Sequence, residues 1–327
     1  MSRELLESLQ GAQAFDPAPR QNELHLYHVS FDELTGGDGA EASLSRAIQS
    51  SERAAVVGRG GQGKSSLIAH ATRVRPGIAP FRVPIFVEPN ETVTDPKAFA
   101  QHLIRTLTTS ATQTGVISPE QREAALMASS DRVHILGQEV AHTRSAAEVI
   151  AAAVDLVAAI ASKEVIPVVV LDDSDGWSLE SGPNGSAPAR AFFNRVLRIF
   201  ADFPGALVLA VHEDYLSTPE FQEAESFLET RILIPAFEDH AEHALGHILE
   251  RRMTVQGLKS DSSDVFHEGA LEALADFYRE ADCNLRKVIW VSRAALRYAW
   301  VDNAELVTRV HMEAAVAEAT EGSYHRA

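Results

Sequence analysis

The run Gly58-Arg-Gly-Gly-Gln-Gly63-Lys64-Ser65 constrains this chain more than any other stretch. It follows a short apolar run, Ala54 to Val57, that suits a buried parallel strand, and it opens onto KSSLIAHATR, which reads as a helix. A loop of this kind wraps phosphate oxygens with its own N–H groups, and its glycines permit both the backbone angles and the close approach. The N-terminus of the following helix favours anions. The expected phosphate-binding residues are Gly58, Gly60, Gly61, Gln62, Gly63, Lys64, Ser65 and Ser66. Lys64 would reach the outer phosphates of ATP, and the Ser65 hydroxyl would ligate Mg²⁺.

The rest of the chain supplies the frame such a loop needs. Val83 to Val87, Val165 to Leu171, Ala206 to Val211 and Arg231 to Ile234 read as further strands. Between them, Asp95-Pro96 offers an N-cap with proline at the first helical position. Residues 98 to 162 read as mostly helical, broken near Gly115 to Pro119 and around Gly137, and Arg190 to Phe200 reads as a helix. Strands alternating with helices predict an α/β fold, a parallel sheet with helices on both faces. After Pro235 only helices are expected: 238–253, 267–280, 284–299 and 305–319, with a break at Asp282 to Asn284. The expected organisation is a lead-in over 1–52, a P-loop core over 53–235 and a small all-helical lid over 236–327. In the lead-in, Gly36, Gly37 and Gly39 mark a loop ahead of a short helix carrying Leu44, Ala47 and Ile48.

Several side chains extend the phosphate site. Val168 to Leu171 ends in Asp172 and Asp173, and a carboxylate at that strand end sits where it can hold Mg²⁺ through water. Asp172 is the candidate; Asp173 either orients or deprotonates the attacking water, or merely starts an acidic turn with Asp175. His212, just past the fourth strand, faces the ligand crevice of a parallel sheet or is a surface turn histidine. Arg286, at the start of a lid helix, stabilises phosphate charge or is an exposed helix arginine. His240, His243 and His247 share a helical face with zinc-compatible spacing, although such residues more often line a solvated surface. Asp172, Asp173 and Asp175 lack the ligand pattern of a calcium loop.

Composition narrows the classes. With 327 residues the chain can bury a core without staples. Its net charge of -17 repels nucleic acid and anionic lipid on average. Cys283 is the one cysteine, which excludes an intramolecular disulfide and a thiolate zinc site. The start, MSRELLESLQ, lacks the apolar centre of a signal peptide, and Val149 to Ile160 contains Asp155 and is too short to span a bilayer. A soluble, cytoplasmic protein with no membrane partner is expected.

With these residues in view, the chain resembles an AAA+ ATPase module of the branch containing the origin-recognition initiator ATPases and the STAND signalling ATPases. GRGGQGKSSL resembles the STAND phosphate loop, and VVVLDDSDGW the Walker B strands of both groups. RILIPAFEDHAEHALGHILERR is similar to the passage into the lid, and CNLRKVIWVSRAAL to the sensor 2 helix, which points to Arg286. The resemblance spans roughly residues 40 to 319. It implies ATP and Mg²⁺ as cofactors and ATP hydrolysis in a homo-oligomer or with a partner protein. It also leaves open a slow STAND-like binding module or a DNA-linked initiator-like ATPase.

Departures accompany it. Lys64 and Asp172 lie 108 residues apart, longer than usual, which points to a helical insertion at about 108–145. His212 stands at the sensor 1 place, and Asp173 replaces the catalytic glutamate, so slow hydrolysis is expected. Arg231 is a weak arginine-finger candidate. The GLPLA-type lid segment is missing, and no winged helix is read after the lid.

Overall fold

The computed structural model describes residues 7–9, 13–20, 22–35, 37, 39–73, 81–87, 94–135, 138–141, 143–161, 165–172, 191–258 and 261–321. The chain forms two compact units. The first comprises residues 1–41, 58–70 and 234–327, and the second residues 42–57 and 71–233.

The second unit is built on a five-stranded parallel sheet of β1 (Arg53–Val57), β2 (Phe81–Val87), β5 (Val165–Leu171), β6 (Ala206–Val211) and β7 (Thr230–Leu233). The strand order is β2-β5-β6-β1-β7, so β6 is central and separates β1 from β5. β5 and β6 are buried along their whole length. That burial explains their unbroken apolar sequences, since helices cover both faces of such a sheet. Register pairs Val57 with Val211 and Leu171 with Leu209, so β1, β5 and β6 end at one edge.

Helix α1 (Phe31–Thr35) and most of α3 (Lys64–Thr72) belong to the first unit, and α2 (Ala40–Gln49) leads into β1. In the second unit, α4 (Pro96–Gln113), α5 (Pro119–Ser129) and α6 (Ala146–Ala161) supply apolar faces to the core. Asp95 caps α4 as expected, its carboxylate accepting from the Ala98 N–H at 2.9 Å. Ser118 and Gln121 close a capping box on α5. A cluster of Phe99, Phe192, Phe193, Phe200 and Phe221 joins these helices to the sheet, with neighbouring rings 5.5 to 6.3 Å apart. Thr218 caps the short α7 (Pro219–Glu225).

Two segments differ from the sequence expectation. Within the stretch read as helical, β3 (Arg132–Ile135) and β4 (Gln138–Ala141) form an antiparallel hairpin. Its register sets Val133 opposite Val140, and valine is a residue type that favours a strand over a helix. The stretch read as a helix from Arg190 is described from residue 191, and it runs as a π turn over Phe192–Val196 followed by a 3₁₀ segment over Leu197–Asp202. The Gly/Pro/Ser loop at 181–188, Gly36, Gly137, Asp173 and Asp175 lie outside the described residues.

The first unit is a helical bundle: α8 (Ala241–Val255), α9 (Glu268–Glu280), α10 (Leu285–Val301) and α11 (Arg309–Thr320). Its core takes in Leu9, Ala14 and Phe15 from the start of the chain. Buried Arg252 ties that segment down, donating to the carbonyl oxygens of Ala14 at 3.2 Å and Asp16 at 2.7 Å, with its guanidinium over the Tyr27 ring. Burial lowers the Arg252 pKa to about 10, so it stays charged at neutral pH. Among the described residues no helix is long and apolar enough to cross a membrane.

Candidate phosphate-binding site

The loop after β1 turns on two glycines in left-handed backbone, Gly61 at φ 73° and Gly63 at φ 111°, a conformation that side chains disfavour. Lys64 then begins α3, and the N-terminus of such a helix favours an anion. The Lys64 side chain is 6% exposed and folds back along the loop. Its Nζ donates to the Gly58 and Arg59 carbonyl oxygens, each at 2.8 Å. These two bonds hold the ammonium against the loop.

Gln62 braces the same loop from inside. Its Oε1 accepts from the Arg59 N–H at 2.8 Å, and its Nε2 donates to the Ile234 carbonyl at 3.2 Å. At 5% exposure both ends of this amide are committed to backbone, so Gln62 shapes the loop through its side chain.

The start of α10 meets the loop directly. Asn284 caps α10 by accepting from the Lys287 N–H at 3.1 Å. The next residue, Leu285, donates its N–H to the Gly61 carbonyl at 3.0 Å. The preceding turn carries Asp282 and Cys283, both in left-handed backbone at φ 56° and 58°. Asp282 lies 3.5 Å from the Arg59 guanidinium. The structure therefore brings Leu285 to the phosphate loop by backbone contact, with Asn284 and Arg286 its neighbours in sequence. The Arg286 side chain itself is exposed.

A second support comes from the lead-in and carries no signal in the sequence pattern. His28 is 7% exposed; its Nδ1 lies 3.2 Å from the Ser66 Oγ and its Nε2 3.0 Å from Glu41 Oε1. The same Glu41 oxygen accepts from the Phe31 N–H at 2.6 Å. Burial opposes ionisation of Glu41, but the bonds from His28 and Phe31 outweigh it and hold the carboxyl below its usual pKa. An ionised Glu41 places the His28 proton on Nε2, leaving Nδ1 to accept from the Ser66 hydroxyl. The Phe31 ring lies under Gly63, where an added Cβ would stand 3.1 Å from it.

The other expected residues lie at the carboxyl edge of the sheet in the second unit. Asp172 directly follows β5 and is part-buried. His212 directly follows β6, its Nδ1 accepting from the Asp214 N–H at 3.3 Å and lying 3.3 Å from the Asp214 carboxylate. That bond makes His212 the cap of the next turn. Arg231 pairs with Glu225 of its own chain at 2.6 Å. In the first unit, His243 and His247 converge while His240 sits in the preceding turn.

No protein-family model matches the sequence, and no curated protein matches it. Solved structures do resemble the fold. The Aeropyrum pernix ORC1 protein in complex with DNA matches with a TM-score of 0.51 at 18% identity, covering 92% of this chain and 69% of that one. The Aeropyrum pernix ORC2 protein in its ADPNP-ADP complexes matches with a TM-score of 0.53 at 19% identity, over 88% of this chain and 68% of that one. The same ORC2 protein in its ADP form gives 0.51 at 19% identity, over 85% and 67%. The chain thus shares its fold, a parallel α/β sheet with a helical domain, with these ORC proteins.

Proposed function

We propose that this chain is an ATP-binding AAA+ switch that hydrolyses the β–γ phosphoanhydride and works in an oligomer or with a partner protein. The observation that carries the reading is the loop Gly58 to Ser65. It is set between a buried strand and a helix N-terminus, with left-handed Gly61 and Gly63 and a lysine lodged against its carbonyls. Nucleotide in the solved ORC2 structures of this fold supports it.

In this reading Gly58, Gly60, Gly61, Gln62, Gly63, Lys64, Ser65 and Ser66 form the phosphate cradle, with Lys64 turning to the outer phosphates. Ser65 and Asp172 offer the oxygen ligands that suit Mg²⁺, which neutralises phosphate charge when bound. Asp173 orients the attacking water, His212 stands by the γ-phosphate, and Arg286 reports nucleotide from the lid. The protein is read as cytoplasmic.

A slow-cycling, STAND-like binding module is the second reading. It is favoured by the two ties between loop and lid, Leu285 to Gly61 and Arg59 to Asp282. A DNA-linked, initiator-like role draws on the fold it shares with a DNA-bound ORC1 protein and is opposed by the net charge of -17.

The test is ATP turnover with Mg²⁺ across a range of protein concentrations, wild type beside Lys64→Ala and Asp173→Asn. Turnover per subunit that climbs with concentration and is lost in both variants supports the switch acting in an assembly. ATP binding without turnover at any concentration supports the slow module instead. Wild-type turnover by Lys64→Ala overturns both. Salt-dependent DNA binding in the presence of ATP would bring back the third reading.

A further inference from the structure

We infer that His243 and His247 on α8 form a chelating pair for one zinc-class divalent ion, separate from the nucleotide site. The two residues stand four apart on the exposed face of the helix, and their Nε2 atoms approach to 3.1 Å with the rings 4.4 Å apart. Two nitrogens bound to one tetrahedral zinc at about 2.0–2.1 Å stand about 3.3 Å from each other. The pair already holds nearly that separation. Solvent-facing histidines at this spacing are free to turn apart, so their convergence is the observation to be explained.

The protonation pattern agrees. His247 Nδ1 faces Glu250 Oε2 at 3.7 Å. A carboxylate on that side favours the proton on Nδ1 and leaves the Nε2 lone pair for a metal. Binding one ion through both Nε2 atoms requires the proton on Nδ1 in each ring.

Glu250 is itself fixed: its Oε1 accepts from both the N–H and the hydroxyl of Ser262, each at 2.8 Å. Ser262 reaches that position because residue 246 is glycine. An added Cβ there would stand 3.1 Å from the Ser262 hydroxyl. Glycine inside a helix is less favourable than alanine. Here it permits the contact that orients Glu250.

The pair opens on a cavity of about 310 Å³ that Glu242 and Glu268 also line. Among the described residues no three-ligand cluster of His, Cys, Asp or Glu is assembled. The ion is therefore held by two imidazoles, with water in the remaining positions and carboxylates nearby to balance its charge. Borderline-soft Zn²⁺ suits imidazole nitrogen better than Mg²⁺ or Ca²⁺ does.

The test is calorimetric titration of Zn²⁺ into the full chain, free of any histidine tag and stripped by chelator. The comparison set is His243→Ala, His247→Ala, the double variant and Glu250→Gln. One ion per chain is expected, with affinity at least about tenfold weaker in each single histidine variant and about tenfold weaker in Glu250→Gln. Zn²⁺ should also raise the melting temperature of the wild type by a few degrees and leave the double variant unmoved. Equal binding by wild type and double variant overturns the site. So does half an ion per chain with dimerisation, which would assign the histidines to a contact between copies. Metal-free melting curves of the histidine variants should overlay the wild type, because both histidines are exposed.

Discussion

The Leu285 N–H donates to the carbonyl oxygen of Gly61 at 3.0 Å, which ties the first turn of a lid helix to the middle of the phosphate loop. The contact lies beside Asn284, whose side chain occupies the space a Cβ on residue 61 would need, at 2.1 Å from Asn284 Oδ1. Loop and lid helix thus share one crowded point, at which Gly61 also adopts left-handed backbone.

Gly61→Ala should be costly for both reasons. Alanine at positive φ costs about 1–2 kcal/mol, and displacing the Asn284 cap costs about 1 kcal/mol more. Denaturant unfolding should show a loss of about 2–3 kcal/mol together with weakened ATP binding. Adding Asn284→Gly removes the collision and not the strain, so the double variant should recover part of the loss.

Gln62→Ala leaves the Arg59 N–H and the Ile234 carbonyl without the side chain that joins them. An unsatisfied buried group costs about 1–3 kcal/mol. Unfolding should register that loss, and ATP affinity should fall even though the phosphate-facing backbone is unchanged in sequence.

Glu41 makes the support beneath Ser66 sensitive to acid. Its folded-state pKa is lowered, so the stability it contributes is fully present above its unfolded pKa of about 4.3. That stability is lost as pH falls through the folded value. Glu41→Gln should be less stable than wild type by about 1–2 kcal/mol at pH 7. In parallel unfolding curves the gap should narrow as pH falls below the unfolded value and close once it has passed through the lower folded one.

Arg252→Met removes the donors that hold Ala14 and Asp16 while keeping much of the buried side-chain volume. Two backbone acceptors are left without their donors, at about 1–3 kcal/mol each where water cannot reach them. Limited proteolysis should cut first near residues 16–24 in this variant, and the wild type should resist there.

Much of the fold was legible because burial on both faces writes itself as uninterrupted apolar sequence. β5 and β6 match the sequence reading residue for residue, and Pro96 and Asn284 marked helix starts through local chemistry. The 132–141 hairpin was not legible, since four-residue strands are too short to establish a period of two against helical surroundings. The phosphate loop was legible because its chemistry demands glycines and a lysine in one contiguous run. Its supports were not. His28 lies 38 residues from Ser66, and Gln62 lies 172 from Ile234, and no periodicity links residues that meet only after folding. The convergence of His243 and His247 without His240 likewise depends on where α8 begins, which spacing alone leaves open.

The Asp282–Cys283 turn offers an internal clock for the lid. Cys283 holds the chain's single thiol, 2% exposed, donating to Glu238 Oε1 at 3.4 Å, with burial raising its pKa. Such a thiol reacts with a disulfide reagent only while the turn is open. The labelling rate of the unmodified protein therefore counts how often the start of α10 lets go, and nucleotide that fastens lid to loop should slow it.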